Sequence, residues 1–267
     1  MIDTSVDTAH PALKDRVTVR RITSDDRPAV ASWHGTSVTA LLAGLPESST
    51  PGLIPNAKFY VADVFFADEL GRPATDSLSL LKALHWMEQM QVDIVNLSVS
   101  GPPDETVKEA IARLSAKGVL FVAAAGNEGP NAPWSYPAAY PQVIAVTAVN
   151  KQLRGYPYAN HGDYIDMAAP GVRIWTALPN GKQGFVSGTS FAAPYVTAVV
   201  AAVVRDVPKR TTGEILKVIA TQDLGVKGPD PIYGRGLVLA PRFCGQPTWP
   251  EAVVVRATPA DVDPRAR

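Results

Sequence analysis

Cys244 is the single cysteine among 267 residues. No intrachain disulfide can form, so packing alone must hold the fold. Charge is also scarce. Charged residues make up 19% of the chain, and 25 Lys and Arg balance 25 Asp and Glu. That balance gives no reason to expect nucleic acid or an anionic membrane as partner. Long hydrophobic runs are missing too. The longest, Phe191 to Val204, is broken by Pro194 and Thr197, and it reads as a buried helix, too short to span a bilayer. The first residues have neither the basic start nor the apolar stretch of a secretion signal. With four histidines and one cysteine, no His/Cys cluster suggests zinc.

What the chain does have is apolar mass. Apolar residues are 46% of the sequence, enough for the core of one large domain. Strand-like and helix-like stretches alternate. Ala57 to Phe66, Asp93 to Val99, Val119 to Ala125 and Val143 to Val149 read as strands. The last two lack polar alternation, as expected of strands covered on both faces. Asp76 to Met90 puts Leu80, Leu81, Leu84 and Met87 on one helical face, with Asp76 or Ser77 as cap. Pro103-Asp104 opens a second helix that Gly118 closes. Thr211 and Glu214 suggest a capping box ahead of Ile215. This alternation predicts a three-layer α/β/α sandwich with a mostly parallel sheet over residues 1–243. Residues 244–267 are proline-rich and read as a C-terminal tail, in which Ala252 to Val255 offers at most an edge strand.

Four short segments carry chemistry. Ile2-Asp3-Thr4-Ser5 offers a carboxylate, and His34-Gly35-Thr36 an imidazole ahead of an apolar helix, Val38 to Leu42. Ser187-Gly188-Thr189-Ser190-Phe191-Ala192-Ala193-Pro194 puts a hydroxyl at the start of an alanine-rich helix, with Pro194 expected in its first turn. Ala123-Ala124-Ala125-Gly126-Asn127-Glu128-Gly129 sets an asparagine after a strand. Taken singly, each has a plainer explanation: a helix-capping serine, a structural histidine, a turn asparagine. Together they supply the nucleophile, base, base-orienter and oxyanion donor that acyl transfer needs. The order Asp, His, Ser is opposite to that of the α/β-hydrolases, and no Gly-x-Ser-x-Gly elbow is present.

All four segments resemble the subtilisin-like serine proteases, or subtilases, and the likeness runs from Asp3 to about Leu239. The resemblance implies a serine endopeptidase with Ser190 as nucleophile, His34 as general base, Asp3 as its orienter and Asn127 as oxyanion donor. It also implies that Ser98, Val99 and Ser100 form one wall of the substrate cleft and Ala124, Ala125 and Gly126 the other, with Ser135 near the pocket floor. Inward-pointing Ser100 and Ser135 would narrow that pocket. His10, His85 and His161 are weaker candidates for the base. The alternative is a catalytically silent subtilase fold that binds peptides or proteins. No cofactor or metal is expected, because the Leu45–Pro51 stretch, where several subtilases bind calcium, has one carboxylate. The expected partner is a peptide or protein substrate, acted on by a monomer. Two departures stand out. Ser5 replaces a customary glycine, so a positive φ there would be strained. Only Met1 and Ile2 precede Asp3, where the family has a longer central strand. A truncated first strand is the expectation, with Asp3 prone to fray. An upstream signal would place the protein outside the cytoplasm, and a genuine start at Met1 inside it.

Overall fold

The computed structural model describes residues 1–241 apart from 25, 205–206 and 208–209. The tail at 244–267, with its candidate edge strand, lies outside the described residues.

The elements in chain order are β1 (Ile2–Asp3), β2 (Val17–Arg21), α1 (Trp33–Ala43), β3 (Phe59–Asp63), β4 (Phe66–Ala67) and β5 (Pro73–Ala74). Next come α2 (Ser77–Gln89), β6 (Ile94–Leu97), α3 (Glu105–Ala116), β7 (Leu120–Ala124), β8 (Val143–Val149) and β9 (Met167–Pro170). The hairpin β10 (Ile174–Leu178) and β11 (Lys182–Val186) precedes α4 (Thr189–Val203), α5 (Thr212–Val218), β12 (Thr221–Gln222) and β13 (Leu237–Val238). The main sheet has the order β12-β13-β9-β8-β7-β6-β1-β3-β2. Its pairings are parallel except β12 with β13.

Helices cover both faces. On one, Ile2, Ala62 and Leu97 pack with Leu84, Met87, Ile111 and Leu114 of α2 and α3. On the other, Leu120, Val122, Ile144 and Val146 pack with Val196 and Val200 of α4, while Val61 packs with Val38 and Leu41 of α1. Every residue of β7 and β8 is buried, which is why neither shows polar alternation. The sandwich matches the sequence expectation.

Local chemistry sets the boundaries. Asp76 caps α2 by accepting the Ser79 N–H, Asp104 caps α3 through Val107, and Thr211 caps α5 through Glu214. Gly118, at φ +90°, ends α3. Two boundaries differ from expectation. Helix α1 begins at Trp33, so His34 lies inside its first turn rather than ahead of it. Helix α4 begins at Thr189, so Pro194 falls beyond the first turn, and the Ser190 carbonyl lacks the helical N–H that residue 194 would supply. Ser5 is not among the positive-φ residues, so the strain considered for it does not arise.

Strand β1 is two residues long but is tied on both sides. Ala62 and Val64 donate to the Met1 and Asp3 carbonyls, and Ser98 donates to Ile2. The Met1 ammonium donates to the Tyr60 carbonyl at 2.6 Å. Asp3 is fully buried. At the head of β1 the sheet opens into a cavity of about 600 Å³, lined in part by Met1, Phe59, Tyr60, Ile94, Asn96 and Thr197.

Candidate active site

Asp3 sits at the carboxyl end of β1, inside the parallel sheet between β6 and β3, at the strand ends where ligands of open α/β sheets gather. Its Oδ1 accepts the Thr4 N–H at 2.6 Å and meets His34 Nδ1 at 2.7 Å. A carboxylate only accepts, so Nδ1 carries the proton and Nε2 keeps its lone pair. The first turn of α1 is pinned to the segment after β1. Gly35 donates to Thr4 Oγ1 at 2.8 Å, and Thr36 Oγ1 accepts the Asp7 N–H at 2.8 Å. Burial pulls the His34 pKa down, but the charge and hydrogen bond of Asp3 more than offset it, and the net shift is upward.

Ser190 occupies the first turn of α4 and is 7% exposed. The helix starts from Gly188 at φ +148°, a backbone region that side chains rarely tolerate. Phe191 packs its ring against the His34 imidazole at 5.2 Å, and Trp33 meets the same imidazole edge-on at 5.3 Å. Ser190 and His34 share no hydrogen bond, and the contact between their segments runs through Phe191.

Asn127 is exposed on the loop after β7. Its Oδ1 accepts from the Thr189 N–H at 2.9 Å and the Thr189 hydroxyl at 3.1 Å. With the oxygen so engaged, the Nδ2 amide is the group left to donate. That amide lies over Gly188, 3.6 Å from where a Cβ would stand there.

The cleft candidates behave differently from one another. Val99 is buried in the cluster under α2 and α3, so only its backbone can face a substrate. Ser98 is buried, and its Oγ accepts from Asn96. Ser100 is exposed and donates to Glu128 Oε1 at 3.3 Å, linking the two walls. Ala124, Ala125 and Gly126 are buried, and the Ala125 carbonyl accepts the Tyr164 hydroxyl. Ser135 is 5% exposed, and its hydroxyl has no partner. The Tyr136 N–H bonds the Gly101 carbonyl, which brings Ser135 beside the Ser98–Ser100 wall.

The other histidines stand apart. His10 accepts the Ala12 N–H at Nδ1, so its Nε2 donates to the Lys182 carbonyl, a structural role. His85 lies on the surface of α2 beside Gln89 and Glu88. His161 is partly exposed in the loop between β8 and β9. Among the described residues no three His, Cys, Asp or Glu side chains cluster as metal ligands, and no helix is long and apolar enough to cross a membrane.

Sequence reasoning missed Thr4, Thr189 and Phe191. The signal was present, since each adjoins a candidate residue: Asp3-Thr4, and Thr189-Ser190-Phe191.

A family model described as the subtilase family matches residues 1–236. Subtilisin E of Bacillus subtilis is 32% identical over 247 residues, spanning 89% of this chain and 63% of that protein. The chain thus covers less than two thirds of that relative's length. Among solved structures, the patellamide maturation protease PatA superposes with a TM-score of 0.72 at 28% identity, covering 90% of this chain and 92% of that one. The prenylagaramide maturation protease PagA gives 0.74 at 26% identity, covering 90% and 89%.

Proposed function

The chain belongs to the subtilase family, and from that premise we propose that it is a serine endopeptidase acting through Ser190, His34, Asp3 and Asn127. The observation that carries this is the 2.7 Å bond between buried Asp3 and His34 Nδ1, which leaves Nε2 as a free base. Ser190 Oγ attacks the peptide carbonyl while His34 Nε2 takes its proton. Asp3 holds the imidazole tautomer and stabilises the imidazolium. The developing oxyanion is met by the Asn127 amide and by a backbone N–H at the start of α4, where helix N–H groups have no internal partner. His34 then returns the proton to the leaving amine. Water, activated by the same imidazole, hydrolyses the acyl-serine.

The substrate is an extended peptide lying between Ser98–Ser100 and Ala124–Gly126, bound by strand pairing. The Ser100–Glu128 link across the walls and the buried Ser135 hydroxyl support a restricted pocket for the residue before the cut. No step needs a cofactor, and one chain supplies every group.

A fluorophosphonate probe tests the assignment. It should label Ser190, and Ser190→Ala should abolish both labelling and peptide cleavage. Labelling of another serine, with Ser190→Ala still active, would overturn the nucleophile. A folded chain that takes no probe but retains peptides would be a silent binding domain.

A further inference from the structure

Two buried carboxyls lie side by side at this site, and the mechanism uses one. In the parallel pairing of β1 with β3, Asp3 stands opposite Asp63. In the pairing of β3 with β2, Asp63 stands opposite Arg21. Paired residues on neighbouring strands point to the same face of a sheet. Packing tells which face. Ile2, Ala62 and Ile22 pack with α2 and α3, while Val19 and Val61 pack with α1. Alternation therefore turns Asp3, Asp63 and Arg21 towards α1, the side that carries His34.

The row His34, Asp3, Asp63, Arg21 shows a further pattern. Asp3 is 0% and Asp63 4% exposed. Asp3 Oδ2, Asp63 Oδ1 and Arg21 Nε are each buried without a hydrogen-bond partner. Three adjoining orphaned polar atoms are unusual, because leaving one buried polar atom unpaired costs about 1–3 kcal/mol. No ion pair within 4.0 Å joins Arg21 to Asp63 among the described residues. The row thus sets two carboxyl groups side by side, with the His34 imidazole at one end and the Arg21 guanidinium at the other.

We infer that Asp63 is a positioning residue of the triad, a second buried carboxyl that acts through Asp3 and sets how strongly His34 holds its proton. Asp3 is tied to His34 and Thr4 through its Oδ1. Asp63 answers to its surroundings instead. Burial pushes its pKa up, a hydrogen bond from the Phe65 backbone and the charge of Arg21 pull it down, the charge of Asp3 pushes it up, and the net is upward. As Asp63 loses its proton, a second negative charge stands behind Asp3 and His34 binds its own proton more firmly. Arg21 opposes that effect.

Few other groups face this row. Helix α1 brings His34 alone, and α4 brings Tyr195, which packs in the cluster over β7 to β9. Strand β1 adds the Met1 ammonium, which feels the charge of Asp3, and β6 with the residue after it adds the neutral Asn96 and Ser98. After β2, Arg27 pairs with Asp76, and Asp26 is exposed.

The test is the pH titration of the His34 ring nitrogens by NMR in the wild type, Asp63→Asn and Arg21→Gln, with kcat/KM against pH on a peptide substrate alongside. In Asp63→Asn, His34 should titrate about half a pH unit lower, and in Arg21→Gln higher by a similar amount. The acidic limb of kcat/KM should move the same way. Opposite shifts from two neighbours are not produced by a general loosening of the fold. A His34 titration unmoved in Asp63→Asn overturns the inference. If that variant does not fold, an unmoved titration in Arg21→Gln overturns it. The kinetic half rests on the peptidase reading, but the NMR half does not. A chain that cleaves nothing yet shows the opposite shifts keeps Asp63 in this role and refutes the peptidase. A chain that cleaves with His34 unmoved does the reverse.

Discussion

Gly35 has no room for a side chain: a Cβ there would stand 2.3 Å from the Thr4 carbonyl oxygen and 2.5 Å from that of Ser5. Both obstacles are backbone, so neither can rotate away. The glycine lets α1 lie against the segment after β1, and that contact brings His34 to Asp3. Gly35→Ala should push α1 off and open the 2.7 Å bond. A misplacement of this kind costs about 10²-fold in rate. Peptide cleavage and a thermal melt, run together, check it. Wild-type kcat/KM in the variant would mean that the helix can shift without disturbing the site.

Asp3→Asn should act on the same bond without steric change. The base works as neutral imidazole, so kcat/KM should fall as pH drops through the raised pKa of His34, that is, from above 6.5. Without the carboxylate charge, the limb should move to lower pH. The plateau should fall by roughly 10⁴-fold, because an amide can hold the wrong tautomer. A pH–rate profile of the two proteins separates the effects. Superimposable limbs would remove Asp3 from the role given it.

Asn127→Ala should lower kcat by about 10²- to 10³-fold and leave KM nearly unchanged, a magnitude established for such a donor in subtilisin itself. The Oδ1 contacts with Thr189 would go as well, so Asn127→Asp serves as a control that keeps an acceptor and loses the donor. Steady-state kinetics decide. An unchanged kcat in both variants would make Asn127 a turn residue.

Asp166, in the turn before β9, accepts the Ala145 N–H and is pushed up from 3.8 to about 6, chiefly by burial. Its folded state holds a proton that the unfolded chain has already released between pH 4 and 6. Stability from this group is therefore full below that window and falls as pH rises through it, by at most about 3 kcal/mol. Asp166→Asn keeps an acceptor for Ala145 and carries no charge. Its melting temperature should exceed the wild type's at pH 7 and converge with it near pH 4. Equal melts at pH 7 would show that Asp166 ionises without cost.

A chain whose first residue is Met1 buries a free ammonium, whose pKa burial pushes down from 8.0 to about 5, with Asp3 opposing. Here the unfolded chain holds the extra proton between pH 5 and 8, so stability should rise with pH through that window, by up to about 4 kcal/mol. An upstream apolar extension would turn the amine into an amide and could pair in the opening between Tyr60 and Ile94. Melts of the chain with and without such an extension should differ most near pH 5. Identical pH profiles would show that the ammonium is solvated.

The layer architecture was legible in sequence because it depends on local rules. Unbroken apolar runs gave β7 and β8, and the caps Asp76, Asp104 and Thr211 gave three helix starts. Such signals are read within a few residues, which is also why they failed at α1 and α4. Nothing local says that Trp33 opens a helix, or that α4 starts early enough to put Pro194 beyond its first turn.

The candidate site divides the same way. Four short strings taken together, and their resemblance to a known family, supplied Asp3, His34, Ser190 and Asn127, since singly each has a plainer explanation. The strings do not say which atoms meet. That Asn127 is oriented through Thr189 across the gap between β7 and α4 depends on how those elements pack. That Ser100 reaches Glu128, and that Asp63 stands behind Asp3, depends on strand register. Asp63 in particular is one acid in a β-branched run, and the sequence offers no reason to single it out. Side-chain alternation and parallel pairing put it at the level of Asp3, because neighbouring strands present equivalent residues to the same face. The sequence by itself determined which chemical groups are available and the periodicity of the elements that carry them. Only the tertiary structure decided which buried charges face one another, because that follows from contacts between residues far apart in the chain.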